Sequence, residues 1–235
     1  MNAAPRPVET VYEDAELTLR LLPGTAHRLV VVFTGRKAGF GGQPPDEFAG
    51  SASHGGENSV LFVTDRQASW YAAPGLWRKI VRMVREVRAS VGALEVMTLG
   101  NSMGGYGALL LPRDLRVARA IAFSPQVTLD RGLLDDARWP EIADEMPERC
   151  VADTFAGTRT QYYLTAGAGC AEDVAHLALV PEGKRVHRWV LPRGRHNVAG
   201  ALKEAGLLAR VIDAILRGRR TRVDALYARY GRRLA

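Results

Sequence analysis

Apolar and polar positions along the chain follow two rhythms. Short β-branched and apolar runs recur at Leu17–Leu22, Arg28–Thr34, Ser59–Thr64, Leu94–Leu99, Ala118–Phe123, Gln161–Thr165 and Val186–Leu191, and each predicts a strand. Between them the period lengthens. Leu76–Val91 places apolar residues at 76, 77, 80, 81, 84, 87 and 91 with arginines opposite, the stripe of an amphipathic helix. Gly105–Leu111, Ala171–Leu179 and Ala201–Leu216 are the other helix candidates. This alternation predicts an α/β fold: a mostly parallel central sheet with helices on both faces. The nearly continuous "LVVVF" at 29–33 fits a central strand covered on both sides.

Two stretches break the rhythm. Gly35–Gly56 is glycine-rich with paired prolines at Pro44 and Pro45, and it reads as a long loop after a central strand, a place where function concentrates. Thr128–Thr160 is charged and weakly periodic; it reads as an insertion with one or two short helices. No internal repeat or low-complexity linker divides the chain, so residues 1–235 are expected to form one domain, with a basic helical extension at about 218–235.

At 235 residues the chain is long enough to bury a sizeable core. No apolar run approaches the roughly 18 residues of a membrane span. The opening "MNAAPRPVET" lacks the apolar core of a secretory signal, so a cytoplasmic location is expected. Cys150 and Cys170 are the two cysteines, too few for a disulfide framework or a four-cysteine zinc site. The net charge of +7 suggests anionic partners. Much of it, however, lies in the arginine-rich segment 217–232, whose Val223, Leu226, Tyr227 and Tyr230 form one apolar stripe. A helix packed on its own domain or on a partner accounts for that segment, with an acidic surface as the alternative; no nucleic-acid module is recognisable. Nucleotide-binding glycine loops and H-E-x-x-H are also missing, and no cofactor or metal is expected.

The candidate chemistry sits in "TLGNSMGGYGALLL", Thr98 to Leu111. Gly100-Asn101-Ser102-Met103-Gly104 is G-x-S-x-G, a weak signal alone. Its context is stronger: a serine between a buried strand and a helix occupies a sharp turn with its hydroxyl at the carboxyl edge of the sheet. Glycines two before and two after let backbone approach without a Cβ clash. The free amides at the start of the next helix point toward the same place, where negative charge develops in acyl transfer.

With its flanks "LEVMTL" and "GYGALLL", this segment resembles the nucleophile elbow of the α/β-hydrolase family, and the likeness extends from about Arg28 to Leu216. "VVFTG", "DRQASWY", "GNSMGGYGALL" and "AFSPQ" together resemble small bacterial hydrolase-like proteins associated with surface-polysaccharide genes. The resemblance implies a small fold with little or no lid and a serine hydrolase acting on an ester, thioester or related acyl bond. A non-catalytic accessory module in polysaccharide assembly and an acyltransferase using the same residues are the alternatives. The family's chain order implies Ser102 as nucleophile and His196, in the loop after the last strand, as base. His54 in the glycine-rich loop is the rival base, while His27, His176 and His187 read as structural. The acid is expected after "QYYLTAG": Asp173 is preferred, with Glu172 and Asp153 as alternatives. Asp153 precedes its strand and so belongs to the opposite edge. The oxyanion hole would use the Met103 amide and that of Gly35 or Arg36, although Thr34-Gly35 stands where a His-Gly pair is common in lipases. Asp65 and Trp70 at the same rim are candidate substrate-binding residues, with loop anchoring and packing as their competing roles.

Overall fold

Strand β4 (Ser59–Asp65) is buried at every position, and β3 (Arg28–Phe33) at all but its first. Such strands lie inside a sheet covered on both sides. The computed structural model describes residues 7–36, 46–138, 150–192 and 194–233. Together with β1 (Glu9–Glu13), β2 (Leu17–Leu22), β5 (Glu95–Asn101), β6 (Arg119–Phe123), β7 (Gln161–Gly167) and β8 (Val186–Leu191), they form one eight-stranded sheet in the order β1-β2-β4-β3-β5-β6-β7-β8. The β1–β2 and β2–β4 pairs are antiparallel, and every other pair is parallel.

Alternation along the strands divides the core in two. Val31 and Phe33 face α2 (Leu76–Ser90), α3 (Met103–Leu110) and α4 (Ala171–Ala178). Val30 and Val32 face the opposite cluster, built from α1 (Ala49–Ser53), α5 (Val198–Glu204), α6 (Leu208–Leu216) and α7 (Arg220–Arg233). Val223, Leu226, Tyr227 and Tyr230 of α7 are all buried. Tyr227 also meets Thr165 Oγ1 at 2.8 Å. The basic terminal helix therefore packs on this chain's own sheet.

Four elements differ from the sequence expectation, the last of them α1, a short helix inside the stretch 35–56 that reads as a loop. The continuous helix expected over Ala201–Leu216 is two helices. Gly206 at φ 68° takes the left-handed conformation, Leu207 N–H reaches Leu202 C=O at 2.8 Å and Gly206 N–H reaches Lys203 C=O at 2.9 Å. This pair of bonds is a glycine-dependent helix stop that an apolar stripe does not reveal. The edge strand β1 was not expected, because its side chains are almost all exposed and show no buried alternation. The third is α3, which starts at Met103, directly after the serine, rather than at Gly105. Within the expected insertion, Ala152–Phe155 forms a 3-10 turn. Residues 37–45 (with Pro44 and Pro45) and 139–149 lie outside the described residues, and the expectation of little or no lid falls partly on them. Among the described residues no helix is long and apolar enough to cross a membrane.

The parallel register decides where chemistry can occur. Phe33 pairs with Gly100, Asn101 with Phe123, Phe123 with Thr165 and Gly167 with Leu191. The chain thus leaves β3, β4, β5, β6, β7 and β8 at one edge, the usual location of ligand sites in open α/β sheets.

Candidate active site

Ser102 sits between β5 and α3 at φ 56°, ψ −123°, a conformation that costs a non-glycine residue about 1–3 kcal/mol and persists only where its surroundings enforce it. They do so here. A Cβ on Gly100 would stand 2.0 Å from Gly104 C=O, and one on Gly104 would stand 2.1 Å from Phe33 C=O. Both flanking glycines are required by backbone contact, since α3 begins pressed against the end of β3. Ser102 N–H is tied to Phe123 C=O at 2.9 Å.

His196 Nε2 lies 2.9 Å from Ser102 Oγ. Its Nδ1 lies 2.9 Å from both carboxylate oxygens of Asp173. The carboxylate requires Nδ1 to carry the proton, which leaves Nε2 to accept from the serine hydroxyl. Asp173 is completely buried in the first turn of α4. Burial pushes its carboxyl up, but the hydrogen bond and charge of His196, and then those of Arg138, more than offset this and hold it below the ordinary range. Two loops are locked together to align the pair: Gly169 N–H bonds Gly194 C=O at 2.7 Å, and a Cβ on Gly167 would stand 2.2 Å from Gly194 carbonyl carbon. Asn197, next to the histidine, caps α5 through Gly200 N–H at 3.0 Å.

The alternative residues are placed elsewhere. His54 Nδ1 faces Asp213 on α6 at 3.2 Å. Exposed Glu172 accepts from Cys170, and Asp153 lies in the 3-10 turn before β7, at the edge away from Ser102. His27 bonds Gly92 C=O, His187 bonds Gln161, and His176 is buried on α4.

Met103 is the first residue of α3, so its amide has no partner within the helix. Gly35 reaches the elbow as well: its position is 3.2 Å, by an added Cβ, from Asn101 C=O. Its N–H, however, donates to Glu47 Oε2 at 3.1 Å, so a carboxylate already sits on that donor. Arg36 lines the same space, with its guanidinium 5.9 Å above the Trp70 ring.

Asp65 and Trp70 are buried and do not border the cavity beside Ser102. Trp70 is fully buried. The Asp65 carboxylate accepts from the backbone of Gln67, Ser69 and Tyr71 and from the Ser69 hydroxyl at 2.7–3.0 Å. These bonds hold Ala68, Trp70 and Tyr71 at positive φ. Desolvation pushes the Asp65 carboxyl up despite them. Tyr71 in turn donates to Thr34 C=O at 2.5 Å, so Asp65 supports the end of β3 from behind.

A cavity of about 870 Å³ opens beside Ser102 and His196, bordered by Gly35, Glu47, Phe48, Asn101, Asn197 and Lys203 among others. Behind Ser102, fully buried Gln126 brings its amide oxygen 3.4 Å from Oγ, and its Nε2 has no hydrogen-bond partner among the described residues. Exchanging the amide oxygen and nitrogen gives that buried donor an acceptor in Oγ, which already directs its own proton to His196. Cys170, Asp173 and His196 bring three potential metal-ligand atoms within 4.8 Å of one another. Arg138 Nη1 approaches all three within 3.4 Å, so a guanidinium holds the place of a cation there.

Glu47, Gln126, Asp136 and Arg138 were not singled out from sequence. Only Gln126 left a trace, in "AFSPQ" just beyond β6. The others sit in aperiodic loops and are brought in by long-range folding.

No protein-family model matches the sequence, and a search of curated proteins finds no match. Solved structures do match. The capsule O-acetyltransferase of Neisseria meningitidis serogroup A superposes with a TM-score of 0.65 at 13% identity, over 86% of this chain and 93% of that one. Carboxyl esterase 2 from the mycorrhizal fungus Tuber melanosporum gives 0.58 at 12%, over 98% and 88%. A chain of the glycosylation-associated Gap123 complex from Streptococcus agalactiae gives 0.62 at 15%, over 86% of this chain; the match spans only 45% of that longer chain. The chain has the α/β-hydrolase fold.

Proposed function

We propose that this protein is a serine hydrolase of the esterase or thioesterase type. The observation that carries the reading is the hydrogen-bonded series Ser102–His196–Asp173 at the mouth of a cavity. Ser102 Oγ attacks the acyl carbonyl while His196 Nε2 takes its proton, and buried Asp173 stabilises the imidazolium. The Met103 amide receives the developing oxyanion, joined by the Gly35 amide once Glu47 yields it. His196 then returns the proton to the leaving alcohol or thiol. Water activated by the same imidazole releases the acid from the acyl-enzyme.

The test is turnover of short-chain p-nitrophenyl esters. Ser102→Ala should lower kcat/KM by at least about a thousand-fold with the fold intact by circular dichroism. Equal turnover by the two proteins rejects Ser102 as nucleophile.

A second reading is acyl transfer to a sugar hydroxyl. The likeness to a capsule O-acetyltransferase supports it, as does a cavity much larger than an acetyl group. Product analysis with and without candidate glycans separates the two: acylated glycan supports transfer, and free acid alone supports hydrolysis. A folded protein that neither turns over esters nor labels with a fluorophosphonate would instead be a non-catalytic accessory module.

A further inference from the structure

A second ionic arrangement lies behind Asp173, and it returns to His176 three residues further along α4. Arg138 Nη1 donates to Asp173 Oδ1 at 2.9 Å and stands 3.2 Å from His196 Nδ1. Because Nδ1 already carries a proton directed at the same carboxylate, this last contact sets two donors side by side. The rest of the guanidinium belongs to Asp136, with Nε 2.8 Å from Oδ1 and Nη2 bonded to Oδ2. Asp136 Oδ2 also accepts from His176 Nε2 at 3.0 Å. The tautomer of His176 follows from its other nitrogen, Nδ1, which accepts Val127 N–H at 3.2 Å. His176 and Asp173, three residues apart, share one face of α4 and are both fully buried. The series Asp173–Arg138–Asp136–His176 therefore closes back on the helix from which it starts.

We infer that Arg138 is a positioning residue that holds Asp173 and sets the proton affinity of the His196–Asp173 pair, with Asp136 limiting its influence. A cation 3.2 Å from Nδ1 opposes formation of the imidazolium, and it shares the carboxylate charge that would stabilise one. Asp136 partly neutralises that cation. Arg36, Glu47 and Lys203 border the cavity on the other side of His196, and Cys170 and Glu172 lie beside Arg138 and Asp173. Burial raises the Cys170 thiol to about 11, so it is uncharged, and Glu172 is directed to that thiol from an exposed position. Asp136 remains ionised, because His176 and Arg138 overcome its desolvation and hold it well below the carboxylate range.

This inference rests on the proposed Ser102–His196–Asp173 reading for its kinetic consequence, though not for its electrostatic one. The test therefore uses two readouts on the full chain: the pH dependence of kcat/KM on a p-nitrophenyl ester, and the ¹⁵N NMR titration of His196. Removing the cation in Arg138→Gln should move the acidic limb and the titration to higher pH, by about one unit. Removing its counter-charge in Asp136→Asn should move both to lower pH, and Arg138→Lys should stay near wild type. A purely structural role would lower activity without opposite displacements. Unmoved titrations, or displacements of the same sign in Arg138→Gln and Asp136→Asn, overturn the inference. Should Arg138→Gln fail to fold, Asp136→Asn alone decides: an unmoved or upward titration overturns the inference. If wild type turns over no ester while the NMR titrations diverge as described, the hydrolase reading falls and the role of Arg138 stands.

Discussion

Glu47 is the residue whose placement most affects the proposed chemistry. Its carboxylate accepts from the Gly35 amide at 3.1 Å, the donor proposed above for the oxyanion. A tetrahedral intermediate carries the same charge in a similar place, so the two compete. Glu47→Gln removes the charge and weakens the competitor. A charge-assisted bond of this kind, discounted for solvent screening, corresponds to a gain in kcat/KM on small neutral esters of about three- to ten-fold. Steady-state kinetics check this; a decrease would mean that Glu47 assists turnover rather than blocking it. Nothing in the linear sequence marks this residue, since its partner lies twelve positions away. Ser102, by contrast, could be read because its constraint is local: the glycines it requires are two residues to either side.

At the sheet edge that carries Ser102, elements meet through backbone contacts that leave a side chain no room. The start of α3 touches the end of β3 at Gly104, and the loop after β7 touches the loop after β8 at Gly167 and Gly194. Gly104→Ala would place a methyl group 2.1 Å from Phe33 C=O, an obstacle that cannot rotate away. Urea unfolding should show a loss of about 3 kcal/mol, with turnover reduced as the Ser102 turn opens. An unchanged midpoint would mean that the contact relaxes at little cost. Strands and amphipathic helices were legible from periodicity because burial selects their side chains directly. The helix break at Gly206 and the exposed strand β1 were not: one depends on a single positive φ, and the other buries almost nothing.

Taken together, the two cores on either side of the sheet hold the ends of six parallel strands at one rim, and the second core is closed by α7. Tyr227 is 4% exposed, stacks edge-on against Trp189 with ring centroids 5.3 Å apart, and shares a 2.8 Å hydrogen bond with Thr165. Replacing it with alanine leaves a cavity and an unpartnered hydroxyl, so Tyr227→Ala should cost about 3–5 kcal/mol in chemical unfolding. A change below 1 kcal/mol would show α7 to be an appendage rather than part of the core. The arrangement of layers was legible from alternating strand and helix patterns, and the meeting of Ser102, His196 and Asp173 from chain order within a recognisable fold. Arg138 and Asp136 were not legible, because a charged aperiodic segment does not reveal which buried helix it will reach.

The direct test of the central claim is covalent labelling of the wild-type protein with a small fluorophosphonate, mapped by mass spectrometry and compared with His196→Ala. A hydroxyl activated by an adjacent base should take up one label per chain, on Ser102, and the rate should fall at least about a hundred-fold when the imidazole is removed. A folded wild-type protein that stays unlabelled, or labels at the same rate without His196, would contradict it.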